Sequence, residues 1–310
     1  MVGHQNHCWR KGQCAGDALL AGEMCCGLCP MREPIGAPDQ NLGQISQVSS
    51  GFMEPRYNSR HARENHHSVR MGEEAHFYGN AEVYWRDVPP TVDGMLGGYG
   101  KISNLDLNGS QAFLKKFTGE AVEKCLPMVT IALLSSTRTP KEGEGKTGTA
   151  CALDCGAGIG RITKRLLLPL FQTVDLVDVT QEFLDQAKTY LGEDSKRVGH
   201  YFCTGLQDFV PEQGRYDVIW IQWVIGHLTD AHLVKFLGRC QSALRPGGLV
   251  VIKDNVAFEG VVPDDVDSSV CRDLDIVRRL VAEAGLCIVH QEQQMDFPKE
   301  IYQVHTLALR

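Results

Sequence analysis

From residue 148 to the C-terminus, short and nearly all-apolar runs alternate with longer stretches in which apolar residues recur every three or four positions. Alternation of a buried-strand pattern with a helical period predicts strands near 150–154, 173–178, 200–204, 216–222 and 249–253. Helices are predicted at 161–171 and 182–191. A further helix runs from a Thr229 or Asp230 cap to Leu244, where Arg245-Pro246-Gly247-Gly248 stops it. A last helix at 269–284 and closing strands at 287–291 and 303–309 complete a doubly wound α/β sheet. Its ligands are expected where strands end at their carboxyl edges. Upstream, Phe77, Val83, Tyr84 and Trp85 are spaced for an amphipathic helix that starts at about Glu73 and ends before Pro89-Pro90. A glycine-rich stretch, 91–100, follows, and 110–117 has the period of a second helix.

Other segments lack a period. Residues 1–72 are rich in Gly, Gln, Asn, Ser, His and Pro and are expected to form a disordered extension. Residues 118–147 carry a short apolar patch and then Pro140-Lys141-Glu142-Gly143-Glu144-Gly145-Lys146. Loops of about 30 residues without structure of their own are uncommon in compact domains, so this segment is expected to be a mobile surface insertion. The expected organisation is therefore an extension, 1–72, N-terminal helices, 73–117, an insertion, 118–147, and an α/β core, 148–310.

Composition narrows the class. A chain of 310 residues, 43% hydrophobic and 22% charged, can bury a sizeable core. No stretch approaches the roughly 20 apolar residues of a spanning helix, and nothing near the start is framed as a signal peptide, so a soluble, intracellular protein without a membrane partner is expected. Five of the 12 cysteines fall in the first 30 residues and the others are scattered singly, which suits free thiols. Cys25, Cys26 and Cys29, with Cys8, Cys14, His4 and His7, match no closed pair of zinc knuckles, so no metal is expected. Residues 1–70 hold seven Lys/Arg against six Asp/Glu, leaving 24 against 32 for the remainder, so the negative charge belongs to residues 71–310, at −8 against +1 upstream. An acidic core without a basic run disfavours direct binding of nucleic acid and suits a cationic or neutral substrate.

The first core strand runs into Asp154-Cys155-Gly156-Ala157-Gly158-Ile159-Gly160-Arg161. Glycines at this point allow a tight turn and close backbone approach to a ligand at a helix N-terminus. A dinucleotide fingerprint places its third glycine three positions after the second, where this chain has Arg161. An acid at the strand end suits a ligand that carries its own positive charge. Asp178, at the end of the second strand, is placed to accept from ribose hydroxyls. These features favour S-adenosyl-L-methionine over NAD, with an NAD oxidoreductase as the weaker alternative.

Three segments carry a resemblance. Tyr84-Trp85 with Pro89-Pro90-Thr91-Val92-Asp93-Gly94-Met95-Leu96-Gly97-Gly98-Tyr99-Gly100, then 153–161, then Ile219-Trp220-Ile221-Gln222-Trp223-Val224-Ile225-Gly226-His227-Leu228 strongly resemble the eukaryotic protein N-terminal methyltransferases. That family methylates the α-amine of chains beginning Xaa-Pro-Lys. The resemblance spans 77–117 and 146–310. It implies a Rossmann-like, seven-stranded class I methyltransferase sheet with an N-terminal helical lid, S-adenosyl-L-methionine as cofactor, and a nuclear and cytoplasmic location. For the cofactor it implies Gly156, Arg161 at the methionine carboxylate, Asp178 at the ribose, Val179 and Thr180 as further contacts, Leu206 and Gln207 on the adenine side, and Gln222 at the methionyl end. Trp223 would pack on the substrate proline, Asn255 would bond its backbone, and Asp264 and Ser269 would receive the lysine. Trp85, Leu96, Gly97, Ile301 and Tyr302 resemble residues lining the same channel, and Asp267 and His227 those that remove the proton.

Plainer readings compete with these roles. A tryptophan after an apolar strand is commonly core, and a histidine before a helix can merely satisfy a backbone carbonyl. Acids at 264–267 could stabilise the start of the helix expected from 269. Three acids within four residues repel one another, however, which favours a cation among them. A small-molecule methyltransferase would share the glycine loop and Asp178 without needing that acidic pocket, and a binding protein would keep the fold without turnover.

Overall fold

Seven strands hydrogen-bond into one sheet in the order β3-β2-β1-β4-β5-β9-β8. The computed structural model describes residues 59–118 and 146–310, and the expectations for 1–58 and 119–145 fall outside the described residues. The strands are β1 (Cys151–Cys155), β2 (Thr173–Asp178), β3 (Val198–Cys203), β4 (Tyr216–Gln222), β5 (Leu244–Val256), β8 (Ile288–Gln293) and β9 (Gln303–Leu309). All pairs from β3 across to β5 are parallel, and β9 runs antiparallel between β5 and β8. A separate hairpin, β6 (Val261–Asp264) and β7 (Ser269–Arg272), leaves the end of β5. Chain order reverses between β1 and β4, which opens a crevice at their carboxyl ends.

Burial follows the sequence pattern. Every residue of β1 and β4 is buried, as the apolar runs require. Helices α5 (Asp230–Ala243) and α6 (Leu274–Glu283) cover one side through Leu233, Phe236, Leu237, Val277, Leu280 and Val281. The other core cluster takes in Leu107, Phe113 and Leu114 of α3 (Ser103–Lys115), Leu166 and Leu167 of a π-helical turn (Thr163–Leu167), and Leu184 and Ala187 of α4 (Gln181–Leu191). Burying each such side chain stabilises the fold by about 1.5–3 kcal/mol. Two N-terminal elements precede α3: the long helix α1 (Ser59–Asp87) and a short turn of helix α2 (Val92–Met95). Among the described residues no helix is long and apolar enough to cross a membrane.

Four expectations change. Helix α1 begins at Ser59, so 59–72 does not belong to a disordered extension. The sequence of 59–72 has few apolar residues and no helical period, and it contains no proline. The second helix starts at Ser103, ahead of the expected 110. Arg245-Pro246-Gly247-Gly248 is absorbed into β5 as an irregularity, with Tyr216 opposite Leu244 and Val218 opposite Leu249. The helix expected from 269 is a strand to Arg272, and α6 starts only after Asp273, whose carboxylate accepts from the Ile276 N–H. Asp264–Ser269 therefore span a hairpin turn and cap no helix.

Candidate active site

The loop after β1 is held by backbone bonds to β2. Gly156 and Ala157 donate to the Val177 carbonyl at 2.9 and 3.1 Å, and Gly158 donates to Asp178 Oδ2 at 2.8 Å. Gly156 and Gly158 have φ of 66° and 53°, and a Cβ on Gly158 would fall 2.5 Å from Met95 Sδ. The glycines are thus needed for backbone shape and for close approach of the N-terminal segment. Asp178 Oδ1 accepts from Thr180 N at 2.9 Å, and burial pushes this carboxyl up to about 6. Asp154 accepts from Thr163 N and Oγ1 at 3.0 and 2.6 Å, and burial pushes it up to about 7.

These groups line a cavity at the crevice, together with Arg161, Val179, Leu206, Gln207 and Gln222. Helix α1 closes it with Tyr78, Ala81, Glu82 and Trp85. The Tyr78 hydroxyl accepts from Thr229 N at 3.2 Å and bonds His232 Nδ1 at 2.7 Å, which ties α1 to the start of α5. Of the expected cofactor residues, Thr180 does not face the cavity; it precedes α4 and orients Asp178 through its N–H.

A second cavity adjoins the first. Trp85, Met95, Trp223 and His227 line each of them and so form the wall between them, while Asn255, Asp267 and Ser269 line the second alone. Asp264 is directly opposite Ser269 in the β6–β7 register, which puts its side chain on the Ser269 face of the hairpin. Trp223 sits at φ 54°, a strained conformation for a bulky residue. Its N–H donates to the Lys253 carbonyl at 3.0 Å, and Asp254 Oδ2 accepts from Val224 N and Ile225 N, each at 3.1 Å. Burial pushes Asp254 up to about 6.

Not every residue expected in the channel faces it. Leu96 and Ile301 are buried in a small cluster with Tyr99 and Ile102 against which Trp223 packs, so they back the tryptophan instead of lining the slot. Gly97 and Tyr302, their neighbours in sequence, are likewise not among the residues facing either cavity. His227 Nε2 accepts from the Trp85 indole N–H at 3.0 Å, and its Nδ1 is 3.4 Å from the Ser268 carbonyl. That pairing assigns the neutral Nδ1–H tautomer, and burial holds the ring below its ordinary titration range.

Arg161 is buried, and its Nη1 is 2.8 Å from Asp106 Oδ2. Its guanidinium also lies 5.6 Å from the Trp223 ring centre, joining the two cavities. Asp106 Oδ1 receives Gln222 Nε2 at 2.9 Å and Lys253 Nζ at 2.6 Å. Sequence reasoning singled out the acid at the end of β1, Asp154, but passed over Asp106, Lys253 and Asp254. Lys253 carries a signal, a cation in an otherwise apolar strand, whereas Asp106 is brought to the site only by the docking of α3.

The cavity fits S-adenosyl-L-methionine. Asp154 and Asp178 suit its cationic and hydroxyl-bearing parts, Arg161 suits a carboxylate, and the glycine loop leaves room for close backbone approach. Sheet order, glycine loop and the acid after β2 together define a class I S-adenosylmethionine-dependent methyltransferase. Residues 73–310 match the family described as AdoMet dependent proline di-methyltransferase, and the chain belongs to that family. It is 70% identical to N-terminal Xaa-Pro-Lys N-methyltransferase 1 of Danio rerio over 234 residues, 76% of this chain and 95% of that protein. It is 60% identical to the Homo sapiens protein of that name over 238 residues, 77% of this chain and 97% of the relative. A solved SAM-dependent methyltransferase from Leishmania major superposes with a TM-score of 0.64 at 35% identity, covering 76% of this chain and 83% of that one.

Gly158→Ala tests the loop. Strain at positive φ and the clash with Met95 together cost about 1–3 kcal/mol, so affinity for S-adenosylhomocysteine is expected to fall about tenfold or more by calorimetry. Unchanged affinity would show that the loop has another purpose.

Proposed function

We propose that the chain transfers methyl groups from S-adenosyl-L-methionine to the α-amine of proteins whose exposed N-terminus reads Xaa-Pro-Lys, giving mono-, di- or trimethylated products. The names of the Danio rerio and Homo sapiens relatives support this substrate. The observation that carries the reading is the slot holding Asp267, Asn255 and Ser269, which shares the Trp85, Trp223 and His227 wall with the cofactor cavity. An amine in that slot and a methyl donor in the cavity meet across one layer of side chains.

In this reading Trp223 packs its ring on the substrate proline, with Leu96 and Ile301 fixing it from behind. Asn255 bonds the substrate backbone, and Asp264 and Ser269, side by side on the hairpin, take the lysine ammonium. Trp85 closes the channel from α1. The cofactor supplies an electrophilic methyl on a sulfonium that leaves without needing a proton. The residues must therefore align the amine and remove its proton, since an α-amine with a pKa of about 7.7–8.0 is mostly protonated at pH 7. Asp267 is the first acceptor. His227 is neutral but its acceptor nitrogen is engaged by Trp85, so it takes a proton only after that indole moves.

The test uses two hexapeptides beginning Ser-Pro-Lys, identical except that one is N-acetylated, with labelled S-adenosylmethionine. Only the free peptide is expected to be labelled. Equal labelling would exclude the α-amine as acceptor.

A further inference from the structure

Behind the cofactor cavity lies a buried cluster with more positive than negative charge. Asp106, Arg161 and Lys253 are each at most 5% exposed. Lys253 Nζ faces Asp106 Oδ1 at 2.6 Å, the Asp106 carbonyl at 3.0 Å and Gln294 Oε1 at 3.0 Å. These three groups accept and match the three N–H donors of an ammonium, with Ser110 Oγ at 2.9 Å completing the shell; burial draws Lys253 below its ordinary range and the Asp106 carboxylate opposes that. Burial opposes ionisation of Asp106, but Lys253 and Arg161 hold its carboxyl below the ordinary range. Two cations thus share one carboxylate. Asp154 is the other acid that Arg161 influences, and burial pushes it up to about 7, so at neutral pH it balances only part of the excess.

An uncompensated buried charge is costly, and the cost is relieved when a counter-charge arrives. Arg161 and Gln222 line the cofactor cavity and are held by Asp106, whereas Asp106 and Lys253 do not line it. Were Lys253 absent, Asp106 would be balanced by Arg161 alone, and the guanidinium would have little net charge to offer a ligand. We propose that Lys253 is a positioning residue that balances the Asp106 carboxylate and so keeps the positive charge of Arg161 available for the carboxylate of the cofactor. This rests on the cavity being the cofactor site. It assigns a role to a lysine on β5 that does not line the cavity.

The experiment compares two ligands by calorimetry on the full-length chain. S-adenosylhomocysteine carries the amino-acid carboxylate, and 5′-methylthioadenosine shares its adenosine without it. Lys253→Met keeps length and volume and removes the charge. It is expected to weaken S-adenosylhomocysteine about tenfold or more while changing methylthioadenosine by less than about twofold, as for a lost charged hydrogen-bonding partner. The double variant Asp106→Asn/Lys253→Met removes one charge of each sign, leaves Arg161 positive, and is expected to recover most of the selectivity for S-adenosylhomocysteine. Equal weakening of the two ligands by Lys253→Met would mark a structural lesion and overturn the proposal, as would no change in either. Where Lys253→Met fails to fold, the double variant decides alone: selectivity within about threefold of the parent supports the charge-balance role, and its collapse overturns it. A parent chain that binds neither ligand would sink the cofactor reading itself, whatever the variants do.

Discussion

Asp267→Asn is expected to lower kcat for a Ser-Pro-Lys peptide by about 10²–10⁴-fold, the usual contribution of a positioned general base. Asparagine keeps the shape of the side chain, which is buried at the wall of the slot, and removes its ability to hold a proton. The argument for Asp267 over His227 is geometric. His227 Nε2 is engaged by the Trp85 indole, and its other nitrogen points to the Ser268 carbonyl. Affinity for S-adenosylhomocysteine should change by less than about twofold, because Asp267 lines the peptide slot and not the cofactor cavity. The deficit should also shrink as pH rises above about 9, since the substrate amine then arrives without its proton. A variant with ordinary kcat, or one that loses cofactor affinity to the same degree, would remove Asp267 from the proton path.

The middle of the sheet was readable in the chain because β1 and β4 are buried on each face. The run at 216–222 was placed to the residue, since a nearly all-apolar run of strand length has few other fates, and the strands at 173–178 and 303–309 were placed likewise. The hairpin at 261–272 was not readable. Its exposed face shows Val261 and Pro263, and Ser269 to Arg272 reads equally well as the first turn of the helix that begins two residues later. The start of α1 was hidden for a related reason, as the first half of the helix has too few apolar residues to leave a periodic mark.

The site was legible where one short segment makes it and obscure where tertiary packing does. The glycine loop and Asp178 lie within 23 positions of one another, and their relation follows from a strand, a turn and a strand. By contrast Asp106 reaches Arg161 across 55 positions and Gln222 across 116, a meeting that only the docking of α3 on the sheet creates. Leu96 and Ile301 show the complementary difficulty. Each was expected at the channel and each belongs to its support, because an apolar residue next to a binding tryptophan can pack behind it as readily as beside it.

Asp178→Asn is expected to weaken S-adenosylhomocysteine by about 10²-fold or more, the combined effect of losing charged acceptors for two ribose hydroxyls. The pH dependence fixes the sign. In the unfolded chain a carboxyl titrates near 3.9, whereas burial in the folded chain pushes Asp178 up to about 6. Its stabilising effect is therefore fully present below pH about 3.9 and is lost as pH rises through about 6. Asp254, also pushed up to about 6, acts in the same direction, so the ligand-free melting temperature is expected to carry a falling component from pH 4 to 7. Ribose hydroxyls donate to the ionised carboxylate, so ligand binding opposes this trend and tightens as Asp178 loses its proton. The rise in Tm produced by S-adenosylhomocysteine should accordingly grow from pH 5 to pH 7. In Asp178→Asn that growth should shrink to the part due to Asp154, which burial carries up to about 7. A variant that binds within about threefold of the parent, or that keeps the full pH slope, would show that the ribose is held elsewhere in the cavity.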